Sequence, residues 1–255
     1  MVSLIEQFVQ RYEPNVGFHA QVASLVAARC RSALERHKMP ALVTWRAKRP
    51  DRLAEKLKKR NKYRNYATEA DMHIDAMDLS GVRIALYYPF QEEEVMLLLE
   101  ELFLVRDVKI HGDIAAATLM MLPTSSSSSS SSTTQREGLK KIMFENRASG
   151  YRAIHAHVEL GPEHLAGEDD DRSNRAAAAA AAAALVEIQI TSLAMHVWSE
   201  VEHDLVYKAR YGTATLDELQ ILHGVHGSIR SAEALLHQLR TSMATRFQVD
   251  TKAKL

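Results

Sequence analysis

The segment that most constrains the fold is VEIQITSLAMHVWSEVEHDLVYK, residues 186–208. Its first residues alternate apolar side chains with Glu187 and Gln189, which is typical of a β-strand with one buried face and one open face. The residues that follow have the spacing of an amphipathic helix, and its predicted buried side consists of Trp198, Val201 and Leu205. A strand that leads directly into such a helix, with a carboxylate on its open face, indicates a sheet that carries a polar site.

Strand and helix patterns alternate along the rest of the chain. Strands are predicted at residues 43–48 (VTWRAK), 82–88 (VRIALYY), 103–111, 151–160 and 185–190. Helices are predicted at residues 2–13, 16–38, 50–64, 92–103 and 216–247, the third of them beginning at Pro50. The prediction is an α/β (α+β) fold in which helices flank a mixed sheet of about five strands, with helical extensions at both ends.

The order of these patterns is typical of one domain that spans residues 1–255. We divide it into a helical N-terminal lobe (1–40), a core (41–212) and C-terminal helices (213–255). Two low-complexity runs interrupt the core near residues 122–136 and 161–184, one rich in serine and the other acidic and then alanine-rich. Such sequences bury too little apolar surface to order themselves, so both are predicted to be surface insertions.

Composition narrows the classes of function. The chain has 32 Lys plus Arg and 32 Asp plus Glu, so no global positive charge draws it to nucleic acid or anionic lipid. Cys30 is the single cysteine, which excludes an intrachain disulfide and a thiolate metal cluster and fits a reducing compartment. The sequence also lacks a secretory signal core and any stretch of about 20 apolar residues. A cytoplasmic location is therefore predicted.

Positive charge is concentrated in one segment, RAKRPDRLAEKLKKRNKYR (46–64), where ten Lys or Arg residues accompany two acidic residues. Arg52, Lys56 and Lys59 share one side of the predicted helix, and Arg46 and Lys48 alternate along the strand before it. Such convergence suits a triphosphate, because each charge-assisted contact contributes only about 1.5 to 3 kcal/mol. A solvated charged helix or an RNA-facing patch would give the same pattern.

Two carboxylates from different strands are candidates to hold a metal ion. Asp78 precedes the strand at 82–88, although an Asp followed by a glycine such as Gly81 is also a common turn signal. Glu187 lies in an apolar strand, where an ionised group is costly without a partner. Magnesium takes one or two protein carboxylates and completes its shell with water and phosphates. Zinc is disfavoured, because His196, Glu200 and His203 share a helical face without forming an HExxH motif.

Three segments in this order resemble the nucleotide pyrophosphokinase domain of the RelA/SpoT family, whose members make the alarmones ppGpp and pppGpp. The segments are DLSGVRIALYY (78–88), SGYRAIHAHV (149–158) and the strand and helix at 186–208. The resemblance extends over roughly residues 5–245, apart from the two insertions. It implies a nucleotidyltransferase-like fold of the small alarmone synthetase type.

The resemblance also implies roles for individual residues. Asp78 and Glu187 would be the catalytic residues and the ligands of Mg²⁺, the implied cofactor. ATP binding is implied for Arg46, Lys48, Arg52, Lys56 and Arg83. Tyr151 would stack on the base of the acceptor nucleotide, and the other implied acceptor-binding residues are Arg152, His155, Lys140, Lys141, Gln189, Glu202, His203 and Lys208.

The implied activity is transfer of the pyrophosphate of ATP to the 3′-hydroxyl of GDP or GTP, with release of AMP. The chain departs from the family where Thr191 and Ser192 stand in place of the usual Arg-Thr. This departure keeps two alternatives open: a degenerate sensor that binds nucleotide without turnover, and a pyrophosphokinase that acts on an adenine nucleotide or the tRNA 3′ end. The expected partners are the nucleotide substrates and, as in small synthetases, further copies of the chain, without membrane or stable nucleic-acid binding.

Overall fold

The centre of the protein is a mixed sheet of six strands in the order β1-β2-β6-β5-β3-β4. The computed structural model describes residues 3–112, 141–145, 151–161, 183–207 and 212–252. The strands are β1 (Ala41–Ala47), β2 (Ser80–Leu86), β3 (Leu104–His111), β4 (Lys141–Glu145), β5 (Ala153–Glu159) and β6 (Val186–Ser192). The pairs β2–β6 and β3–β4 are parallel, and the other neighbouring strands run antiparallel.

Helices precede the sheet, alternate with its strands and follow it. They are α1 (Leu4–Tyr12), α2 (Val16–Arg36), α3 (Pro50–Arg64), α4 (Glu69–Asp75), α5 (Glu92–Leu102), α6 (Leu193–Glu202) and α7 (Leu216–Lys252). A 3₁₀ turn, Glu13–Asn15, joins α1 to α2, and a π-helical turn, His203–Tyr207, follows α6. Four helix starts have a local cause: Pro50 occupies the first turn of α3, and Ser3, Thr68 and Ser192 accept hydrogen bonds from backbone N–H groups of α1, α4 and α6.

The main core lies on one face of the sheet. Because strand residues alternate between faces, Ile84, Ile188 and Ile154 from three adjacent strands all point to this side, where each is fully buried. Helices α2 and α5 cover it, and the same apolar cluster contains Val26 of α2 and Leu99 of α5. With both covering helices on this side, the other face of the central strands is available for polar residues.

A second, smaller core joins helices α1, α3 and α4. It contains the buried residues Ile5, Phe8, Leu53, Leu57 and Met72. Leu53 and Leu57 lie one turn apart on α3, so this helix turns its apolar side toward α1 and leaves its many cations outside or at the edge. The packing fixes α3 beside the start of β2, where the chain passes from α4 into the sheet.

The predicted fold class is confirmed, and the five predicted strands are all present. The structure adds β4 and the seven-residue helix α4, neither of which was predicted. Apart from residues 161, 183 and 184, both low-complexity insertions lie outside the described residues, and the division into one domain with a lobe and extensions stays a prediction. Cys30 is buried in α2, where burial raises the pKa of its thiol to about 12.

One prediction about the core was wrong. Trp198 is buried as expected, but Val201 and Leu205 are exposed. The buried side of α6 consists instead of Met195 and Trp198, which pack against Leu222 of α7. The helix ends at Glu202, and the wider π-helical turn that follows changes the spacing, so Leu205 does not continue the apolar stripe.

No helix within the described ranges is long and apolar enough to cross a membrane.

The carboxylate of Asp75 connects α3 to the C-terminal end of α4. The side chain is 4% exposed, accepts a hydrogen bond from Tyr66 at 2.8 Å and forms ion pairs with Arg60 (2.5 Å) and Arg64 (3.4 Å). Burial alone would raise the pKa of Asp75, but the Tyr66 hydrogen bond and the charges of Arg60 and Arg64 outweigh it and lower this pKa below 3.8. Asp75 is therefore ionised at neutral pH and stabilises the joint between the two helices.

We expect Asp75→Asn to lower the free energy of unfolding by about 2 kcal/mol at pH 7, because a charged acceptor of several hydrogen bonds is lost. Urea denaturation followed by circular dichroism measures this change. The contribution of a carboxylate with a lowered pKa is present above its unfolded-state pKa and is lost as pH falls through the folded-state value. The difference between wild type and variant should therefore shrink below about pH 4.

The matched control is Asp51→Asn, because Asp51 pairs with Arg49 on the exposed surface of the same helix. This variant should change stability far less than Asp75→Asn does, because solvent screens an exposed ion pair. Equal losses in the two variants would show that the Asp75 cluster has no special part in holding α3 and α4 together.

Candidate active site

Polar side chains from neighbouring strands are aligned in rows on the face of the sheet opposite the main core. The strand register places Gly81, Glu187, His157 and Asp107 side by side across β2, β6, β5 and β3. The next row, two residues further along β2, consists of Arg83, Gln189, His155 and Lys109. Cross-strand partners lie about 5 Å apart, so these side chains form one continuous polar surface.

Glu187 is at the centre of this surface. Its Oε1 lies 3.2 Å from Nδ1 of His155 and 4.0 Å from Nε2 of His157, and its Oε2 accepts a hydrogen bond of 2.8 Å from the amide of Gln189. Burial alone would raise the pKa of Glu187. The hydrogen bond from His155, the charges of both histidines and the Gln189 amide outweigh it and hold this pKa far below its usual range. Glu187 is therefore an ionised, pre-oriented carboxylate.

Asp78 lies in the turn before β2, between two lysines. Its carboxylate oxygens are 2.6 Å from Nζ of Lys48 and 2.7 Å from Nζ of Lys56. Burial raises the pKa of Asp78, but the charges of Lys56 and Lys48 and their hydrogen bonds lower it by more. Burial also lowers the pKa of Lys56. The Tyr12 hydroxyl donates a hydrogen bond to the Lys48 carbonyl. Burial and the charge of Asp78 raise the pKa of Tyr12 to about 12.

Lys48 and Lys56 reach Asp78 from two different elements. A hydrogen bond of 2.8 Å from the Lys48 amide to the Leu79 carbonyl extends the β1–β2 ladder and places Lys48 beside the turn. Lys56 comes from α3, which is positioned by its buried leucines. The three side chains make a half-buried cationic wall, defined here as Lys48, Lys56 and Asp78, with net positive charge at the edge of the sheet.

The two carboxylates belong to separate hydrogen-bonding groups in the structure. Glu187 lies opposite Gly81 in the strand register, and Gly81 follows Asp78 by three residues. Asp78 and Glu187 are therefore offset by about 10 Å along the direction of the strands. Within the described ranges, no group of three or more His, Cys, Asp or Glu residues could hold a metal ion by itself. Two ionised carboxylates near the same end of the adjacent strands β2 and β6 are the donor type that Mg²⁺ takes together with the phosphates of a nucleotide.

Arg83 and Gln189 connect Glu187 to helix α6. The Arg83 guanidinium donates to the Gln189 carbonyl (3.3 and 3.4 Å) and to Glu200 (2.7 Å), and it lies 3.1 Å from Nδ1 of His196. Gln189 in turn donates to Glu187, so its amide is fixed at both ends. His196 and Glu200 were considered only as a zinc pattern from the sequence. Their link to Arg83 requires β2 and α6 to be adjacent, which sequence spacing does not reveal.

The other cations predicted to bind ATP lie further out. Arg46 is exposed on β1 and is the register partner of Gly81, and a Cβ added at Gly81 would lie 3.9 Å from the Arg46 side chain. Arg52 is exposed on α3 and forms an ion pair of 2.7 Å with Glu55. The structure brings Lys48 and Lys56 together at Asp78, while Arg52 stands on the outer side of the helix.

Tyr151 and His155 lie beside Glu187 on the acceptor side predicted from the sequence. The Tyr151 hydroxyl is 3.3 Å from Nε2 of His155, and the Tyr151 ring borders the apolar cluster of Met195, Trp198 and Leu222. The His111 ring packs edge-to-face on the His155 ring with centroids 4.4 Å apart. His111 and His157 were not predicted as site residues, although the alternation along β5 places His157 on the same face as His155.

Arg152 does not join this group. It is buried behind β5, donates to Glu92 at 3.1 Å and stacks its guanidinium 4.4 Å from the ring centroid of Phe90. The physical reason is strand alternation, since consecutive residues point to opposite faces and Tyr151 and His155 face the site. The expected contact of Arg152 with acceptor phosphates therefore has no support in this geometry.

The remaining predicted acceptor residues lie at the margins. Glu202 ends α6 and is half-buried, and His203 opens the π-helical turn, where its charge is one of those that lower the pKa of Glu200. Lys141 is the first residue of β4 and the register partner of Asp107. Lys140 and Lys208 lie outside the described residues.

The fold matches known proteins. The model of a family described as a region found in RelA / SpoT proteins matches residues 45–211. A GTP pyrophosphokinase family protein from Streptococcus pneumoniae has a similar structure, with a TM-score of 0.59, 20% sequence identity and coverage of 91% of this chain and 94% of that one. No curated protein sequence matches the chain significantly.

Small alarmone synthetase 1 from Bacillus subtilis is similar to the same extent, with a TM-score of 0.61 and 19% identity over 92% of this chain and 98% of that one. A second structure of that enzyme, bound to its product pppGpp, has a TM-score of 0.56 and 19% identity over 91% and 98% of the two chains. The chain belongs to the RelA/SpoT family, as its sequence motifs indicated.

The cationic wall generates a prediction about polyphosphate binding. We expect Lys56→Gln to weaken binding of a non-hydrolysable ATP analogue by about tenfold, because Lys56 is half-buried and its charge is poorly screened. Arg52→Gln, one turn away on the same helix, should change the dissociation constant by less than about twofold, since the Arg52 guanidinium is exposed and already paired with Glu55.

Isothermal titration calorimetry at two salt concentrations measures both variants, and circular dichroism checks that each is folded. A larger loss for Arg52→Gln than for Lys56→Gln would place the polyphosphate on the outer side of α3 and contradict the assignment of the wall.

Proposed function

We propose that this chain transfers the β,γ-pyrophosphate of ATP to the ribose 3′-hydroxyl of GDP or GTP, which yields ppGpp or pppGpp and AMP. The observation that carries the proposal is the ionised Glu187 on the open face of the sheet, with Tyr151 and His155 on one side and the cationic wall near the other. Membership of the RelA/SpoT family and the shared fold with small alarmone synthetase 1, whose structure contains pppGpp, support it.

In the proposed reaction, the acceptor O3′ attacks the β-phosphorus of ATP. An O3′–Pβ bond forms, the bond between Pβ and the oxygen bridging to Pα breaks, and AMP leaves with that oxygen. The hydroxyl proton goes to Glu187 or to solvent. Such transfers depend mainly on positioning and charge neutralisation. Lys48 and Lys56 would neutralise the donor phosphates, and Tyr151 would seat the acceptor base by stacking.

A divalent metal, proposed to be Mg²⁺, would be held by Asp78 and Glu187 together with the phosphates. When bound, it supplies charge neutralisation at the transferred group. Release of Asp78 from part of its contact with Lys48 and Lys56 would then free these ammonium groups for the same phosphates. Arg83 and Gln189 would keep the Glu187 carboxylate oriented while this exchange takes place.

One observation favours the sensor alternative over turnover. Thr191, which stands where family members usually carry Arg, is 2% exposed, and its hydroxyl donates to the Arg152 carbonyl at 3.0 Å. This position therefore contributes no cation to the open face. A protein that lacks one phosphate-binding cation would bind nucleotides yet turn them over slowly or not at all.

The experiment is incubation of purified protein with γ-labelled ATP, Mg²⁺ and one acceptor at a time: GDP, GTP, ADP or tRNA. We expect AMP release and label transfer with GDP or GTP. Nucleotide binding without AMP release would favour the sensor, and transfer only to ADP or tRNA would favour the other pyrophosphokinase alternative. Thin-layer chromatography separates the products.

Substitutions at the two carboxylates test their roles. Glu187→Gln should reduce kcat by about a thousandfold, because the amide cannot accept the proton or bind the metal as a carboxylate does. Asp78→Asn should reduce it by about a hundredfold. Glu159→Gln is the matched control, since Glu159 lies on the same face of β5 but pairs with Arg106 at the far end of the strand. Full activity of Asp78→Asn would contradict the assignment of Asp78 as a metal ligand.

The proposal includes a cytoplasmic location, which fits nucleotide substrates and the single buried thiol of Cys30. Assembly into a homo-oligomer stays a prediction.

A further inference from the structure

A hydrogen-bonded row links the predicted stacking ring to the predicted catalytic carboxylate. The Tyr151 hydroxyl lies 3.3 Å from Nε2 of His155, and Nδ1 of His155 lies 3.2 Å from Oε1 of Glu187. Tyr151 lies two residues before β5, His155 lies within β5, and Glu187 lies in the neighbouring strand β6. The side chains of His155 and Glu187 are 13% and 15% exposed, so little water competes for these contacts.

The direction of the row follows from the chemistry of its members. Ionised Glu187 can only accept hydrogen bonds, so the ring nitrogen of His155 that faces it must carry the hydrogen. In its neutral form the imidazole of His155 has one donor and one acceptor, which leaves Nε2 as the acceptor. In that form Tyr151 donates its hydroxyl hydrogen to His155, and His155 donates to Glu187. The tyrosine hydroxyl thereby stabilises the Nδ1–H tautomer that Glu187 requires.

The neighbours of the row limit how its members can move. Oε2 of Glu187 accepts from the Gln189 amide, whose carbonyl accepts from Arg83. The His111 ring packs against the edge of the His155 ring. Each carboxylate oxygen of Glu187 thus has one principal donor, and His155 is the donor whose other ring nitrogen contacts Tyr151.

We propose that Tyr151 has a second role beyond stacking: through His155, its hydroxyl fixes the orientation of the Glu187 carboxylate and so couples seating of the acceptor base to alignment of the catalytic group. This inference rests on the proposed function. His155 is then a positioning residue, in place of the phosphate contact that the sequence resemblance implied. The coupling also gives a physical reason for the spacing of four between Tyr151 and His155.

The test separates the ring of Tyr151 from its hydroxyl. Tyr151→Phe keeps the aromatic face, so the KM of the acceptor should change by less than about twofold. Loss of the hydroxyl removes one hydrogen bond from the row, so kcat should fall by about three- to tenfold. Tyr151→Ala should instead raise the KM of the acceptor strongly, because the stacking surface is lost.

A double-mutant cycle shows whether the effect passes through His155. In a His155→Gln background, which cannot relay the hydrogen bond in the same geometry, Tyr151→Phe should lower kcat no further. Tyr88→Phe, which removes the hydroxyl of an exposed tyrosine after β2, should leave kcat and KM unchanged. Additive effects of the two substitutions, or an unchanged kcat in Tyr151→Phe, would overturn the coupling.

A measurement without turnover makes the result independent of the proposed function. In ¹⁵N-histidine-labelled protein without nucleotide, the nitrogen shifts of His155 should indicate the Nδ1–H tautomer, and Tyr151→Phe should change the shift of Nε2, which loses its hydrogen-bond donor. An identical Nε2 shift in the two proteins would overturn the row even if the enzyme is active. If wild type releases no AMP with any acceptor while the Nε2 shift changes as expected, the proposed function fails and the row remains as a contact within the binding site.

Discussion

The packing of α2 and α5 against one face of the sheet is the constraint on which the rest of the structure depends. Ile84, Ile188 and Ile154 are buried there, and alternation then obliges Arg83, Glu187 and His155 to face the other way. A slip of one residue in the register of β6 would bring Glu187 into the apolar core. The hydrophobic core therefore determines the position of Glu187, the proposed catalytic carboxylate, as well as the stability of the fold.

The electrostatics of the site follow from this arrangement. Glu187 and Asp78 are both poorly exposed, which favours protonation, yet each remains ionised because hydrogen-bond donors or cations surround it. The donors of Glu187 come from strands, whereas the cations of Asp78 come from β1 and α3. The part proposed to orient an acceptor is thus built into the sheet, and the part proposed to bind phosphates depends on how the N-terminal helices pack.

The alternation in residues 186–190 and 151–160 was enough to predict two central strands and the face that carries Glu187. The same alternation separates Arg152 from Tyr151, which treating the motif as a unit does not anticipate, so acceptor binding by Arg152 stays a prediction. Helix α4 is too short for its periodicity to stand out. The pairing of Asp78 with Lys48 and Lys56, and of Arg83 with Glu200, depends on elements that are adjacent only after folding, so no spacing in the sequence indicates it.

In the first polar row the strands on either side of β2 each supply a side chain, whereas β2 has Gly81 at this position. Its register partners are Arg46 on one side and Glu187 on the other, so a trough about 10 Å wide separates a cation from an anion. Only backbone lines the bottom of this trough, and its amide groups are occupied in the strand ladders. A Cβ at this position would meet ordinary contact distances of 3.8 and 3.9 Å. Packing therefore does not require glycine at this position. Glycine keeps the space between Arg46 and Glu187 open, and a larger residue would narrow it.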